Sequence, residues 1–130
     1  MTPAAQDIAA PLMVSVGTDA KAAREAVKPG LAYYLYRVEK VVYEHGGADA
    51  GDIARIREVT AERGTQAGAA LVTDEIVDTF AVAGDTRLAV RRFREYAEAG
   101  LRGLIIQHVP GPERAEGLRL IAEKVVPDVL

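Results

Sequence analysis

Apolar residues in this chain gather into three short continuous runs. Between the runs they recur every three or four positions. The first run, Pro11-Leu12-Met13-Val14-Ser15-Val16, closes at Gly17. Its length and β-branched content predict a strand buried on both faces. Thr79-Phe80-Ala81-Val82-Ala83-Gly84 and Gly103-Leu104-Ile105-Ile106-Gln107 read in the same way. After the first strand, Thr18 or Asp19 caps a helix from Ala20 that Pro29 interrupts or redirects. A second helix runs from Gly30 to Glu44 and stops at His45-Gly46-Gly47. A third covers 49–63, with Ile53, Ile56 and Val59 at helical spacing and Gly64 at its end. Thr73-Asp74-Glu75 then opens a short turn, Ile76-Val77-Asp78.

Asp85 caps a helix whose inward stripe is Ala89, Phe93, Tyr96 and Ala97, and Gly100 ends it. Pro112 opens the last helix, with Leu118, Ile121, Ala122 and Val125 on one face, and Pro127 closes it. Residues 1–10 are Ala-rich and read as a frayed helix or a leader. The whole of 1–130 reads as one domain of three βα units. Such alternation predicts an α/β fold with a parallel sheet and right-handed crossovers. A (β/α)8 barrel takes roughly 250 residues, so the chain supplies about half of one. A partial barrel of about three strands leaves open edges, which invite pairing with another copy or with a complementing barrel half.

Composition removes several classes of function. The chain has 130 residues, 16 basic against 19 acidic, and a formal charge of −3. A mildly acidic protein has no electrostatic footprint for nucleic acid. The uncharged stretch from Ile8 to Thr18 is too short to span a bilayer and lacks a basic segment before it, so no membrane is expected. There is no cysteine, which excludes disulfides and thiolate chemistry and is compatible with a cytoplasmic protein. With His45 and His108 as the two histidines, no metal site is expected.

The second and third strands carry a resemblance. Val72 to Asp85, followed by the helix from Arg91 to Ala97-Glu98-Ala99-Gly100, resembles the luciferase-like monooxygenase superfamily. In that family a similar acidic turn leads into a strand ending in Ala-Gly and then a helix ending in Ala-Glu-Ala-Gly. The closing segment from Gly111-Pro112 to Val125-Val126-Pro127 is similar to the family's ending. The likeness runs from about Val14 to Leu130 and is nearest to the deazaflavin-dependent branch, which includes the methylenetetrahydromethanopterin reductases. It implies a TIM barrel of which this chain is the carboxyl-terminal portion, and an oxidoreductase acting on a small-molecule substrate. The implied cofactor is the deazaflavin coenzyme F-420, with FMN as the alternative, for hydride transfer or monooxygenation. The family's early strands, which carry most phosphate contacts and the usual catalytic side chains, have no counterpart here, so no catalytic residue is assigned.

In parallel barrels chemistry sits where the strands end at their carboxyl side. Three places qualify: Gly17-Thr18-Asp19, Gly84-Asp85-Thr86, and Gln107-His108 through Gly111. His108, one step past a strand, contacts the flavin ring or substrate in one reading and bonds a backbone carbonyl in the other. Gln107 points to the opposite face from His108, so one of the two faces the barrel interior. Gly84 and Thr86 flank a helix start where backbone amides hold anions, although the Asp85 carboxylate occupies such donors. The candidate cofactor-binding residues are therefore His108, Gln107, Gly84 and Thr86.

Other features have simpler readings. Asp74, Glu75 and Asp78 form a carboxylate cluster that suits a helix amino terminus better than a metal loop. Arg114 falls in the first turn of the last helix, where a cation opposes the dipole, and reads as solvated. Leu31, Tyr34, Leu35, Val38, Val41 and Val42 form a broad inward stripe, which predicts Tyr34 in the core. Tyr33, Tyr36 and Tyr43 then lie outside, on a partner surface or as ordinary packing. His45 ends its helix. Ser15, the sole serine, has no nucleophile elbow around it, which excludes serine hydrolase chemistry. Two rival readings stand beside the oxidoreductase portion. One is a non-catalytic fragment or assembly module that needs another chain, and the other is a free-standing α/β binding module.

Overall fold

A computed structural model describes residues 8–45, 47–107 and 111–129. The first apolar run is the middle strand of a three-stranded sheet. β1 (Ala9–Val16) lies between β2 (Ala81–Gly84) and β3 (Gly103–Gln107), parallel to both. The three parallel strands agree with the expectation from the apolar runs. β1 begins two residues earlier than its pattern suggested, because Ala9 and Ala10 pair with Gly103 and Leu104. Of the segment 1–10, read as a frayed helix or a leader, Ala9 and Ala10 belong to β1, and residues 1–7 lie outside the described residues. β2 is shorter than expected, since Thr79 and Phe80 complete the preceding helix.

The strands are staggered. β2 pairs with the carboxyl half of β1, from Met13↔Ala81 to Val16↔Gly84. β3 pairs with the amino half, from Ala9↔Gly103 to Met13↔Gln107. Strand alternation then sorts the core into two layers. Met13, Ala81 and Ala83 pack against Val27, Leu31, Leu35, Ile53, Ile56 and Ile76 on one face. Val14, Val16 and Val82 pack with Phe93, Ile121 and Val125 on the other. From Val14 to Val16 and along the whole of β2 every position is buried, which is why those runs are continuous, whereas Ala9, Pro11, Ile105 and Gln107 are exposed.

α1 (Ala20–Arg37) passes straight through Pro29, and this corrects the expected interruption. Ala23, Val27, Leu31, Ala32 and Leu35 are all buried along one stripe that crosses the proline. Keeping that stripe on the sheet outweighs the one backbone hydrogen bond that proline forgoes. The break falls at Val38, and α2 (Lys40–Glu44) restarts out of phase. The new phase buries Tyr43, while Tyr34, Val41 and Val42 are exposed. The core tyrosine is therefore Tyr43, not Tyr34. Arg57, on α3 (Ala50–Arg63), donates to the carbonyls of Leu35 and Val38 and lies 5.4 Å from the Tyr43 ring.

α4 (Thr65–Ala69) and α5 (Asp74–Phe80) lead into β2, and α6 (Thr86–Glu98) follows it. Ala89 and Phe93 of the predicted α6 stripe are buried and Tyr96 half-buried, but Ala97 is exposed. α7 (Arg114–Leu120) starts after Pro112 and passes into a π-helical turn, Ile121–Val125, before α8 (Val126–Val129). The wider turn rotates the following residues. Leu120, Ile121 and Val125 face inward, whereas Leu118 and Ala122 of the predicted stripe face solvent.

Candidate functional site

Three glycines, two aspartates and one serine organise the carboxyl ends of the strands. The Gly17 amide donates to the Gly84 carbonyl at 3.1 Å, which continues the β1–β2 ladder past the last strand residue. Asp19 and Asp85 then cap α1 and α6, accepting from the amides of Ala22 (3.1 Å) and Leu88 (2.9 Å). Each carboxylate thereby occupies one of the donors that a helix start offers to an anion.

Ser15 is fully buried in β1. Its hydroxyl donates to the Ala23 carbonyl at 2.7 Å and accepts from the Gly111 amide at 3.1 Å. One side chain thereby joins the central strand, the helix after it and the loop after β3. Gly111 has φ +55, and a Cβ there would lie 3.0 Å from the Glu113 carbonyl oxygen and 3.3 Å from that of Val16. A Cβ on Gly17 would lie 3.2 Å from Pro112 Cδ. The segment 111–113 is thus laid tightly across the end of β1. Residue pattern alone had assigned Ser15 no role. The available signal was a lone hydroxyl in an otherwise apolar buried strand, since buried polar groups require partners.

Arg24 was also missed. From α1 its guanidinium donates to Asp78 Oδ1 at 2.9 Å, the Ala83 carbonyl at 3.2 Å, and the Asp74 carbonyl and Oδ1, each at 3.3 Å. The hydrogen bond to Asp78 raises the Arg24 pKa further above its ordinary value, with partial burial opposing it. Asp74 and Asp78 of the acidic cluster are therefore partners of an arginine, locking α5 and β2 to α1. Thr73 caps α5 through the Ile76 amide, so Asp74 and Glu75 occupy its first turn.

Of the predicted cofactor-binding residues, Gly84 is buried at the end of β2, and Thr86 is half-buried at the start of α6. Gln107 is exposed at the end of β3, level with Met13, on the sheet face that carries α1. Gly84 is level with Val16, on the other side of β1. Three residues of stagger and two strand spacings put Gln107 roughly 10 Å below and roughly 10 Å across from Gly84. They are two separate groups. His108 lies outside the described residues.

Arg114 is exposed, as read from the sequence. His45 follows α2 with Nδ1 at 3.1 Å from the Val41 carbonyl, the role expected of a helix-ending residue. Among the described residues no cluster of three or more His, Asp or Glu side chains is placed to hold a metal. No helix among them is long and apolar enough to cross a membrane.

Comparison with known proteins places this geometry. The profile of the luciferase-like monooxygenase family matches residues 1–103. The 5,10-methylenetetrahydromethanopterin reductase of Methanopyrus kandleri is 26% identical over 121 residues, covering 93% of this chain and 35% of the reductase. The enzyme of the same name from Archaeoglobus fulgidus is 27% identical over 125 residues, covering 93% and 38%. The structure of the coenzyme F-420-dependent tetrahydromethanopterin reductase from Methanopyrus kandleri superposes with a TM-score of 0.88 at 26% identity. That match covers 95% of this chain and 36% of the reductase. The chain thus spans a little over a third of the length of these relatives, and the partial α/β barrel expected from its strands is the portion it matches. By its family profile, its βα order and its superposition, the chain belongs to the luciferase-like monooxygenase family.

Proposed function

We propose that this chain is the portion of a deazaflavin-dependent oxidoreductase that forms one rim of the cofactor site. The whole enzyme would transfer hydride between coenzyme F-420 and a small-molecule substrate. The observation that carries the reading is the superposition on an F-420-dependent reductase over nearly the whole chain. FMN is the alternative cofactor within the family.

The described residues suit a rim better than a complete pocket. Strand-end glycines offer a cofactor close backbone approach, yet the space beside each is filled by the chain's own atoms: Pro112 at Gly17, Leu88 at Gly84, and the Val16 and Glu113 carbonyls at Gly111. The cleft beside Gly84 measures about 260 Å³, below the range of pockets that enclose a drug-sized ligand. A bound deazaflavin supplies a ring carbon that accepts or donates hydride; the protein supplies position and electrostatics. In this reading one of His108 and Gln107 contacts the ring or the substrate from the end of β3, and Gly84 and Thr86 border the site from the end of β2. The Ser15–Gly111 hydrogen bond fixes Gly111 against β1. The parts of the barrel that the relatives have beyond this portion furnish the remaining walls and the proton-transfer groups.

Titrating F-420 fluorescence polarisation with the protein and with its His108→Ala and Gln107→Ala variants tests the assignment. The expected result is a polarisation rise with F-420, little response to FMN, and at least tenfold weaker binding in one of the two variants. A stronger response to FMN moves the protein to the flavin branch. Unchanged affinity in both variants removes these residues from the site, and no binding of either cofactor overturns the rim assignment.

A further inference from the structure

The cleft beyond the free edge of β2 has an unbalanced set of charges. It lies between the start of α1 and the start of α6 and is lined by Ala20, Arg24, Gly84, Asp85, Arg87 and Arg91, with Leu88 at its base. Three guanidiniums face one carboxylate. Arg24 is neutralised from behind by Asp74 and Asp78, and Asp85 is engaged with the Leu88 amide. Arg87 and Arg91 are exposed and have no hydrogen bond or ion pair among the described residues.

Their placement works against the helix that carries them. Arg87 sits in the first turn of α6, where a cation opposes the dipole. Arg91 is one turn further on, at the spacing where like charges lie about 5–6 Å apart and repel. Arg92 pairs with Glu95, and Arg119 with Glu116 and Glu123; Arg55, Arg63 and Arg114 lack such partners among the described residues, but none of them lines this cleft. A compact anion between Arg87 and Arg91 reverses both penalties. Guanidiniums hold phosphate and carboxylate oxygens in paired, directional hydrogen bonds. The Leu88 amide is not available to this site, because Asp85 already accepts from it.

We infer that the cleft formed by Arg87, Arg91 and Arg24 beside Gly84 binds the phosphate or carboxylate group of a small-molecule ligand. The inference stands on the charge arrangement and not on the hydride-transfer reading. It is tested by calorimetric titration of the whole chain with inorganic phosphate and, separately, with citrate, at constant ionic strength in chloride. Saturable binding of one of the two is expected, and the tighter one identifies the ligand group. Arg87→Gln/Arg91→Gln is expected to weaken it at least tenfold, with an unchanged circular dichroism spectrum, because both side chains are exposed. Asp85→Asn, which keeps a capping oxygen and removes the opposing charge, is expected to tighten it severalfold and serves equally well should the double variant fold poorly. Absence of binding to both anions, affinity unchanged in the double variant, or no tightening in Asp85→Asn overturns the inference.

Discussion

The hydroxyl of Ser15 and the amide of Gly111, 96 positions apart in sequence, meet at 3.1 Å inside the protein. The same oxygen donates to Ala23, so its capacity as donor and acceptor is used within a layer that is otherwise hydrocarbon. Ser15→Ala leaves the Gly111 amide without this partner. An unsatisfied buried group of this kind costs about 1–3 kcal/mol. Urea denaturation should show that loss with an unchanged slope, and amide exchange should accelerate at Gly111 before it does in β1.

Gly111→Ala strains the same loop from the other side. At φ +55 an L-residue pays about 1–2 kcal/mol, and the added methyl presses on two carbonyl oxygens. Because Ser15 and Gly111 share one hydrogen bond, the double variant should lose less than the sum of the singles. Chemical denaturation of all three proteins measures the coupling; strict additivity would show that the two residues act independently.

Arg24 should matter more than either carboxylate it binds. Its side chain is 18% exposed, against 79% for Asp74 and 58% for Asp78. Arg24→Met removes the donor to the Ala83 carbonyl as well as both ion pairs. With the exposed pairs discounted for solvent screening, the expected loss is about 1–2 kcal/mol. Asp74→Asn is expected to change stability by less than about 0.5 kcal/mol. Thermal and urea unfolding of the two variants provides the comparison.

Pro29 is a standing cost inside a continuous helix. Proline in a helix interior is disfavoured by about 3 kcal/mol relative to alanine in isolated hosts. Pro29→Ala should therefore raise the unfolding free energy by about 1–3 kcal/mol. A neutral result would place a break in α1 at this residue.

Glu116 gives a pH signature. Its hydrogen bonds from Arg119, at 2.6 and 2.9 Å, hold its carboxyl pKa below the ordinary value near 4.5. A folded-state pKa below the unfolded one stabilises above the unfolded value, and that stabilisation is lost as pH falls through the lowered folded value. The pair is on the surface, so the effect on stability is small and weakens with salt. A carboxyl-carbon NMR titration should show the depressed midpoint, and Arg119→Gln should return it to the ordinary range.

The order of elements was legible in the chain because buried parallel strands need apolar residues on both faces. Helix starts were legible at Asp19, Thr73 and Asp85, since a side chain that binds its own helix amides acts within four residues. Local chemistry of that range is written in the sequence, and so is the family resemblance carried by Val72–Asp85 and Ala97–Gly100. What needed the tertiary structure was every relation between distant segments. That β1 stands between β2 and β3, that Tyr43 and not Tyr34 is buried, and that α1 ignores Pro29 all follow from which surfaces pack together. The roles of Ser15 and Arg24 have the same origin: a polar side chain shows that a partner is required, but only the folded chain brings Gly111 and Asp78 within hydrogen-bonding distance.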